Sequence, residues 1–411
     1  MELKPGYKQT EVGVIPEDWI IQPIANLVAD TSPICYGVVQ VGKHSDEGIP
    51  IVAIKHVKEI EGATHHMASR ATEAPYSRSR VQADDVLISI KGTIGRIGIV
   101  PTGFRGNISR ELARLRIREG VCPEFVAFQL EGSSTQDRIN QAVVGTTRLE
   151  FSIAQLRNFL IALPAVEAEQ RAIAEILADI DAKIRLVGRL ITKKKRLKQA
   201  AMQALLTGKR RLPGFEGEWE VKRLEDIATI DPENLGSNTQ PHYRFNYISL
   251  EDIDQGSLLN WSELEFLSSP SRARRRLRPS DVLVSTVRPN LKSHLLFSQD
   301  NGDWVCSTGF ATLRCNGELA DPSYIYFHLF DSFINKQIEA LLTGSNYPAI
   351  SSRDVRRLEI PVPALSEQKE IARTLTSMED EMISLTQRLE KARLLKQGMM
   401  QQLLTGKIRL T

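Results

Sequence analysis

Seven basic residues, Arg272, Arg274, Arg275, Arg276, Arg278, Arg288 and Lys292, fall within 21 residues that contain a single acid, Asp281. A sparser set occupies the first third of the chain: Arg70, Arg78, Arg80, Lys91, Arg96, Arg105 and Arg110. A guanidinium can bond two phosphate oxygens, or the O6 and N7 of guanine, with one rigid fork, and Asn or Gln amides pair with adenine. Arginines on loops among Asn and aromatic residues are therefore the chemistry of duplex reading, with phosphate contacts positioning the protein and base contacts specifying the site. Surface arginines without a ligand are the competing explanation.

Nothing of catalytic character accompanies this cationic content. Leu205 to Lys209 spells LLTGK, but the glycine four residues upstream that a phosphate cradle needs is absent, and the segment reads as a helix end. No GxGxxG follows a strand, and no [NDS]PP[YF] signature of an amino-methyltransferase occurs; SNYP at 345–348 is not one. His65 and His66 lack acidic or Cys partners at ligand spacing and read as a surface loop. Cys35, Cys122, Cys306 and Cys315 show no CxxC spacing, as expected of reduced thiols in a cytoplasmic protein. No run approaches the roughly 20 apolar residues that span a membrane. The expectation is a binding module without metal or cofactor.

The elements that must position these residues come in pairs. Residues 169–212 and 367–410 match without a gap at 18 of 44 positions, 198 residues apart, so the chain is an internal duplication. Ile173, Leu177, Ile180, Ile184, Val187 and Ile191 recur at 4-3-4-3-4, as do Ile371, Leu375, Met378, Met382, Leu385 and Leu389. That spacing predicts two coiled-coil seams facing each other. Pro164 and Pro363 bar helix upstream, Ser366 is the expected N-cap, and Gly208 and Gly406 are expected left-handed C-terminal caps. Two copies related by a two-fold axis make the helices antiparallel, with a globular head at each end and a ruler of roughly 57 Å at ~1.5 Å per residue between them.

The globular parts repeat as well. Trp19 is answered by Trp219, and Asp85 with VLIS by Asp281 with VLVS, each a turn-forming Asp before a buried strand. The order is head 1 (1–162), helical spacer (163–212), head 2 (213–361) and helical spacer (362–411). Each head is expected to be α/β or α+β. Two loops of equal position and divergent text, Gly145-Thr146-Thr147-Arg148 and Gly344-Ser345-Asn346-Tyr347, are the expected DNA-facing elements. Arg70, Arg78 and Lys91 join them in head 1, and Arg274, Arg276, Arg288 and Asn290 in head 2. Off the seam, Gln170, Lys198, Gln199 and Gln203 are shared with Gln368, Lys396, Gln397 and Gln401. With no packing reason to be alike, they read as two similar surfaces for two copies of one partner.

IALPAVEAEQRAIAEIL and IPVPALSEQKEIARTL, the paired LLTGK helix ends, and DVLIS followed by KGTIGRIG resemble the specificity subunit of type I restriction–modification systems, over essentially the full length. Head 2 departs at the turn, with TVRPNLKS at 286–293. The resemblance implies two target recognition domains reading a bipartite double-stranded DNA site and two long helices that set the spacing. It also implies two docked methyltransferase (modification) subunits, separate restriction (motor-nuclease) subunits and no catalysis by the chain itself. The remaining alternatives are a coiled-coil scaffold whose heads bind proteins, and an enzyme with an unrecognised site.

Overall fold

The computed structural model describes residues 5–143, 150–342 and 348–410. The chain forms two compact units, Met1–Val187 with Arg388–Thr411, and Gly188–Gln387. Each holds one globular head and part of both long helices.

The heads share one plan. In the first, a four-stranded antiparallel sheet runs in the order Cys35–Tyr36, Leu112–Leu115, Val86–Ser89, Ile97–Ile99. In the second the order is Ala228–Ile230, Phe310–Cys315, Val282–Ser285, Leu295–Leu296. The DVLIS and DVLVS segments supply the strand buried on both faces. Val86 and Ile88 pack into one cluster with Phe125 and Leu130, whereas Leu87 points into another with Val52 and Ile108. Val282 and Val284 likewise face away from Leu283. An unbroken apolar run is what a strand between two cores requires, because alternate side chains serve opposite faces.

A second sheet packs on each first one. It contains His66–Ala68, His44–Val52 and Asn107–Ile108 in head 1, and Ser262–Glu265, Arg244–Ile248, Trp304–Ser307 and Ala273–Leu277 in head 2. The strand pairs His44–Val52 with Asn107–Ile108 and Arg244–Ile248 with Trp304–Ser307 are parallel in both. Two short helices follow, Pro123–Glu131 with Ser133–Ala142 and Pro322–His328 with Ser332–Leu341.

The repeated Asp does more than form a turn. Asp85 and Asp281 are fully buried, accept the N–H of Gln82 (2.9 Å) and Arg278 (2.8 Å), and receive the guanidinium of Arg116 and Arg314. The bond to Asp85 pushes the Arg116 pKa above its ordinary value. The preceding residues, Asp84 (φ 67°) and Ser280 (φ 73°), hold matching left-handed conformations.

Both long helices, Glu167–Leu205 and Leu365–Leu403, have 39 residues, about 58 Å at ~1.5 Å each. Gly208 and Gly406 both take φ 68°, the expected left-handed caps. Ser366 is not the N-cap: the helix starts at Leu365, and the Glu367 and Gln368 N–H groups close on the Ala364 carbonyl. The helices pair antiparallel within each unit. In the first, Arg409 bonds Glu169 (2.6 Å) and Lys396 bonds Asp181 (2.7 Å). In the second, Arg211 bonds Glu367 (2.6 Å), Lys198 bonds Glu379 (2.5 Å) and Lys194 bonds Glu381 (2.7 Å). The seams also reach into the heads. Ile173 and Leu177 join the core of head 1, and Ile371 and Leu375 that of head 2, so the first positions of each seam anchor the helix to its head.

Candidate nucleic-acid interface

In each head three chain segments meet where the central strand ends. Val86–Ser89 runs into the turn from Lys91 to Arg96, whose Gly92 (φ 71°) and Gly95 (φ 81°) are left-handed. Ser89 Oγ accepts the Arg96 N–H (2.8 Å) and donates to the Thr93 carbonyl (2.5 Å), which closes the turn. The Ile90 N–H reaches the Glu111 carbonyl (2.8 Å), bringing residues 109–111 alongside. The Phe151 N–H reaches the Ile90 carbonyl (2.9 Å), and Lys91 pairs with Glu150 (3.2 Å).

Head 2 repeats this frame with other residues. The Thr286 N–H bonds the Gly309 carbonyl (2.8 Å), the Ile350 N–H bonds the Thr286 carbonyl (2.9 Å), and the Arg288 N–H bonds the Pro348 carbonyl (2.8 Å). Here Arg288 (φ 50°) and Lys292 (φ 57°) occupy left-handed positions around the single turn Pro289–Leu291. A side chain in that conformation costs about 1–2 kcal/mol, so the turn holds two strained cationic residues where head 1 uses glycine. The frame is constant and the side chains on it are not.

The expected contact residues divide between this edge and elsewhere. Lys91 lies on it but is paired with Glu150, while Arg288 and Asn290 lie on it exposed. Thr146, Thr147, Arg148, Ser345, Asn346 and Tyr347 lie outside the described residues. Arg70 opens the one-turn helix Arg70–Glu73, and Arg78 lies beside Cys35 at the far end of the sheet; the structure does not bring either to Lys91.

The arginine run of head 2 is not the free cationic patch that its sequence suggests. Arg274 stacks on Phe266 at 4.8 Å, Arg275 pairs with Asp231 (2.9 Å), Arg276 with Asp303 (3.2 Å) and Arg278 with Glu233 (2.5 Å). The neutralising acids lie 20 or more residues away in sequence, so no local count could register them. Arg272, in the same run, is exposed. Its carbonyl accepts the Thr308 N–H (2.8 Å), next to Gly309 on the edge. In head 1, exposed Arg96 and Arg110 flank the turn.

The expected partner-binding set also needs correction. Gln170 and Gln368 are buried and have a plain packing reason to be alike. Gln170 accepts the Cys122 N–H and donates to the Pro164 carbonyl, both at 2.9 Å. Gln368 accepts the Asp321 N–H (3.0 Å) and donates to the Pro363 (2.9 Å) and Leu319 (3.0 Å) carbonyls. Lys198 and Lys396 cross to the facing helix and sit over the rings of Phe327 (5.4 Å) and Phe128 (5.3 Å). Gln199, Gln203, Gln397 and Gln401 are exposed.

Among the described residues no His, Cys, Asp and Glu cluster could hold a metal. All four cysteines are free, with burial raising the thiol pKa to about 11 at Cys122 and about 12 at Cys315. Such thiols are poor nucleophiles. His65 is half-buried, bonded to the Ile60 carbonyl (2.8 Å) and packed on His56 and Phe104, and His66 begins a strand, so the pair is not a surface loop. No described helix is long and apolar enough to cross a membrane.

A family profile for the type I restriction modification DNA specificity domain matches residues 43–196 and 216–394. The EcoBI specificity subunit of Escherichia coli is 28% identical over 227 residues, which span 54% of this chain and 46% of that relative. The MjaVIII specificity subunit of Methanocaldococcus jannaschii is 22% identical over 422 residues, 96% and 94% of the two chains. In fold, the S subunit of a type I restriction–modification system from M. genitalium superposes with a TM-score of 0.63 over 98% of both chains, at 15% identity. With most of both heads and of both helices inside the matched repeats, the chain belongs to the family of type I restriction–modification DNA specificity subunits.

Proposed function

We propose that the chain reads a bipartite double-stranded DNA target, one half-site per head, and directs DNA adenine methylation and restriction by subunits that carry the chemistry. One observation above all supports this reading. The same three segments converge at the end of the central strand in both heads, on matching hydrogen bonds, while the side chains they present differ. That is the arrangement expected of two readers built alike for two different texts. On this reading Lys91, Arg96 and Arg110 in head 1, and Arg272, Arg288 and Asn290 in head 2, contact the duplex with residues 146–148 and 345–347.

The partners are two modification subunits, with restriction subunits joining for cleavage. Supporting a paired partner, Gln199 and Gln203 are matched by Gln397 and Gln401 on exposed helix faces, and Leu197 and Leu395 are 46% and 56% exposed at equivalent positions. A solvent-facing leucine repeated in both copies suits a docking surface more than a lone helix.

Selection from a random-sequence duplex pool tests the function. The expected result is one gapped motif with two constant halves; a pool that enriches no motif would point to a protein scaffold instead. Incubating the purified chain with methyl donor and target DNA should give no methylation until modification subunits are added.

A further inference from the structure

At the end of the head 1 sheet away from the turn, Arg78, Arg80, Arg114 and Arg116 line a cleft of about 340 Å³ with Ser32 and Ser77. Two of these arginines are neutralised within the protein, Arg80 by Glu73 (2.6 Å) and Arg116 by Asp85 (2.8 Å). The bond to Arg80 holds the Glu73 carboxyl below its usual range.

Among the described residues Arg114 has no such partner. The residue is 1% exposed, and among the described residues its side chain bonds only Ser32 Oγ (2.7 Å), the Pro33 carbonyl (3.2 Å) and Cys35 Sγ (3.7 Å), with its Nε unbonded. No described carboxylate pairs with exposed Arg78 either. Guanidinium stays protonated in proteins, so a buried one without a counter-ion is costly unless an anion joins it. Among the described residues four arginines face two carboxylates, which leaves two positive charges unbalanced.

Head 2 shows what the same place looks like when it is balanced. Register puts Thr312 opposite Leu283 as Arg114 is opposite Leu87. The Thr312 N–H bonds Asp231 Oδ1 (3.0 Å), and Arg275, Arg278 and Arg314 are met by Asp231, Glu233 and Asp281. The unbalanced charge thus belongs to head 1 alone, so it is not a requirement of the fold.

We propose that this cleft binds a dianionic phosphoryl group, either inorganic phosphate or a terminal phosphate monoester. Arg114 forms a fixed floor, its fork held by Ser32 and Pro33, and Arg78 closes over the anion from the surface. Two uncompensated charges match a dianion, whereas a backbone phosphodiester carries only one. Guanidinium forks suit the oxygens of such a group. The cleft and the turn from Lys91 to Arg96 lie at opposite ends of one strand, so the cleft is separate from the DNA-reading edge.

The full chain is titrated with inorganic phosphate, against chloride at matched ionic strength, by calorimetry and thermal melting. Saturable binding at one site with a raised melting temperature is expected. Arg78→Ala, at an exposed position, should weaken phosphate binding about tenfold, the equivalent of one charged hydrogen bond. Arg278→Ala in head 2 should leave it unchanged. Arg114→Met should abolish it, and if that variant does not fold the Arg78 comparison still decides. Binding no better than chloride, or an equal loss in Arg278→Ala, overturns the proposal. A short non-target duplex identifies the source: competition only when it carries 5′-phosphates supports a monoester site. Equal competition by 5′-hydroxyl duplex shows a backbone contact and overturns the dianion assignment.

Discussion

Gln170→Met and Gln368→Met should each destabilise the unit that holds them, and the second should cost more. Methionine keeps the length of the glutamine while removing its amide, so the change isolates hydrogen bonding from volume. Gln368 makes three bonds, to the Asp321 N–H and to the carbonyls of Pro363 and Leu319; Gln170 makes two, to the Cys122 N–H and the Pro164 carbonyl. At about 1 kcal/mol net per bond, with more for the buried N–H left unpaired, the losses come to about 3–5 kcal/mol for Gln368 and about 2–4 kcal/mol for Gln170. Both amides tie the first turn of a long helix to the start of a short head helix, so the damage should be local. Native-state hydrogen exchange, following amides around Asp321 and Cys122, reads each site separately. The reasoning fails if both variants keep full protection at these amides while binding of modification subunits falls. That result would return both residues to a partner surface.

Three further outcomes follow from the geometry. Arg288→Ala and Asn290→Ala should each cost about 1–3 kcal/mol in DNA binding and relax one base position if they read bases, whereas Arg276→Ala, paired with Asp303, should leave specificity intact; a reversed order in a binding-site selection would refute the placement. His294 and His328 are fully buried, and burial presses both pKa values down to about 3; Lys292 adds to the effect at His294, whose Nδ1 accepts the Ser285 N–H. Because the unfolded chain takes up protons first, the stability is complete above about pH 6.5 and declines toward pH 3 by about 1.4 kcal/mol per unit per histidine. Denaturation of head 2 across pH 7 to 5 should show that slope, with His328→Gln removing about half of it, and a flat profile would contradict the burial argument. Four residues inserted after both Val187 and Leu385 lengthen each helix by roughly 6 Å, nearly two base steps at ~3.4 Å each. The selected motif should then keep its half-sites and widen its gap by one or two base pairs; changed half-sites with a fixed gap would show that the helices are not the ruler.

What the sequence determined by itself is the part of the molecule encoded by local period and by repetition. Two long helices, their proline starts and their glycine ends follow from spacing alone, since Pro lacks the N–H a helix needs and Gly takes the left-handed cap without steric cost. The twice-buried strands at Val86 and Val282 are legible as unbroken apolar runs after an Asp. Tertiary structure decided which polar residues are free. Arg276 and Arg278 look available in a run of arginines until Asp303 and Glu233 arrive from distant loop segments. Gln170 and Gln368 look like surface marks until Cys122 and Asp321 turn their N–H groups toward them. Arg114 looks like one more strand arginine, and only the fold removes it from water without bringing it a described carboxylate. Charge compensation and burial depend on which distant segments come within a few ångströms, and periodicity carries no record of that.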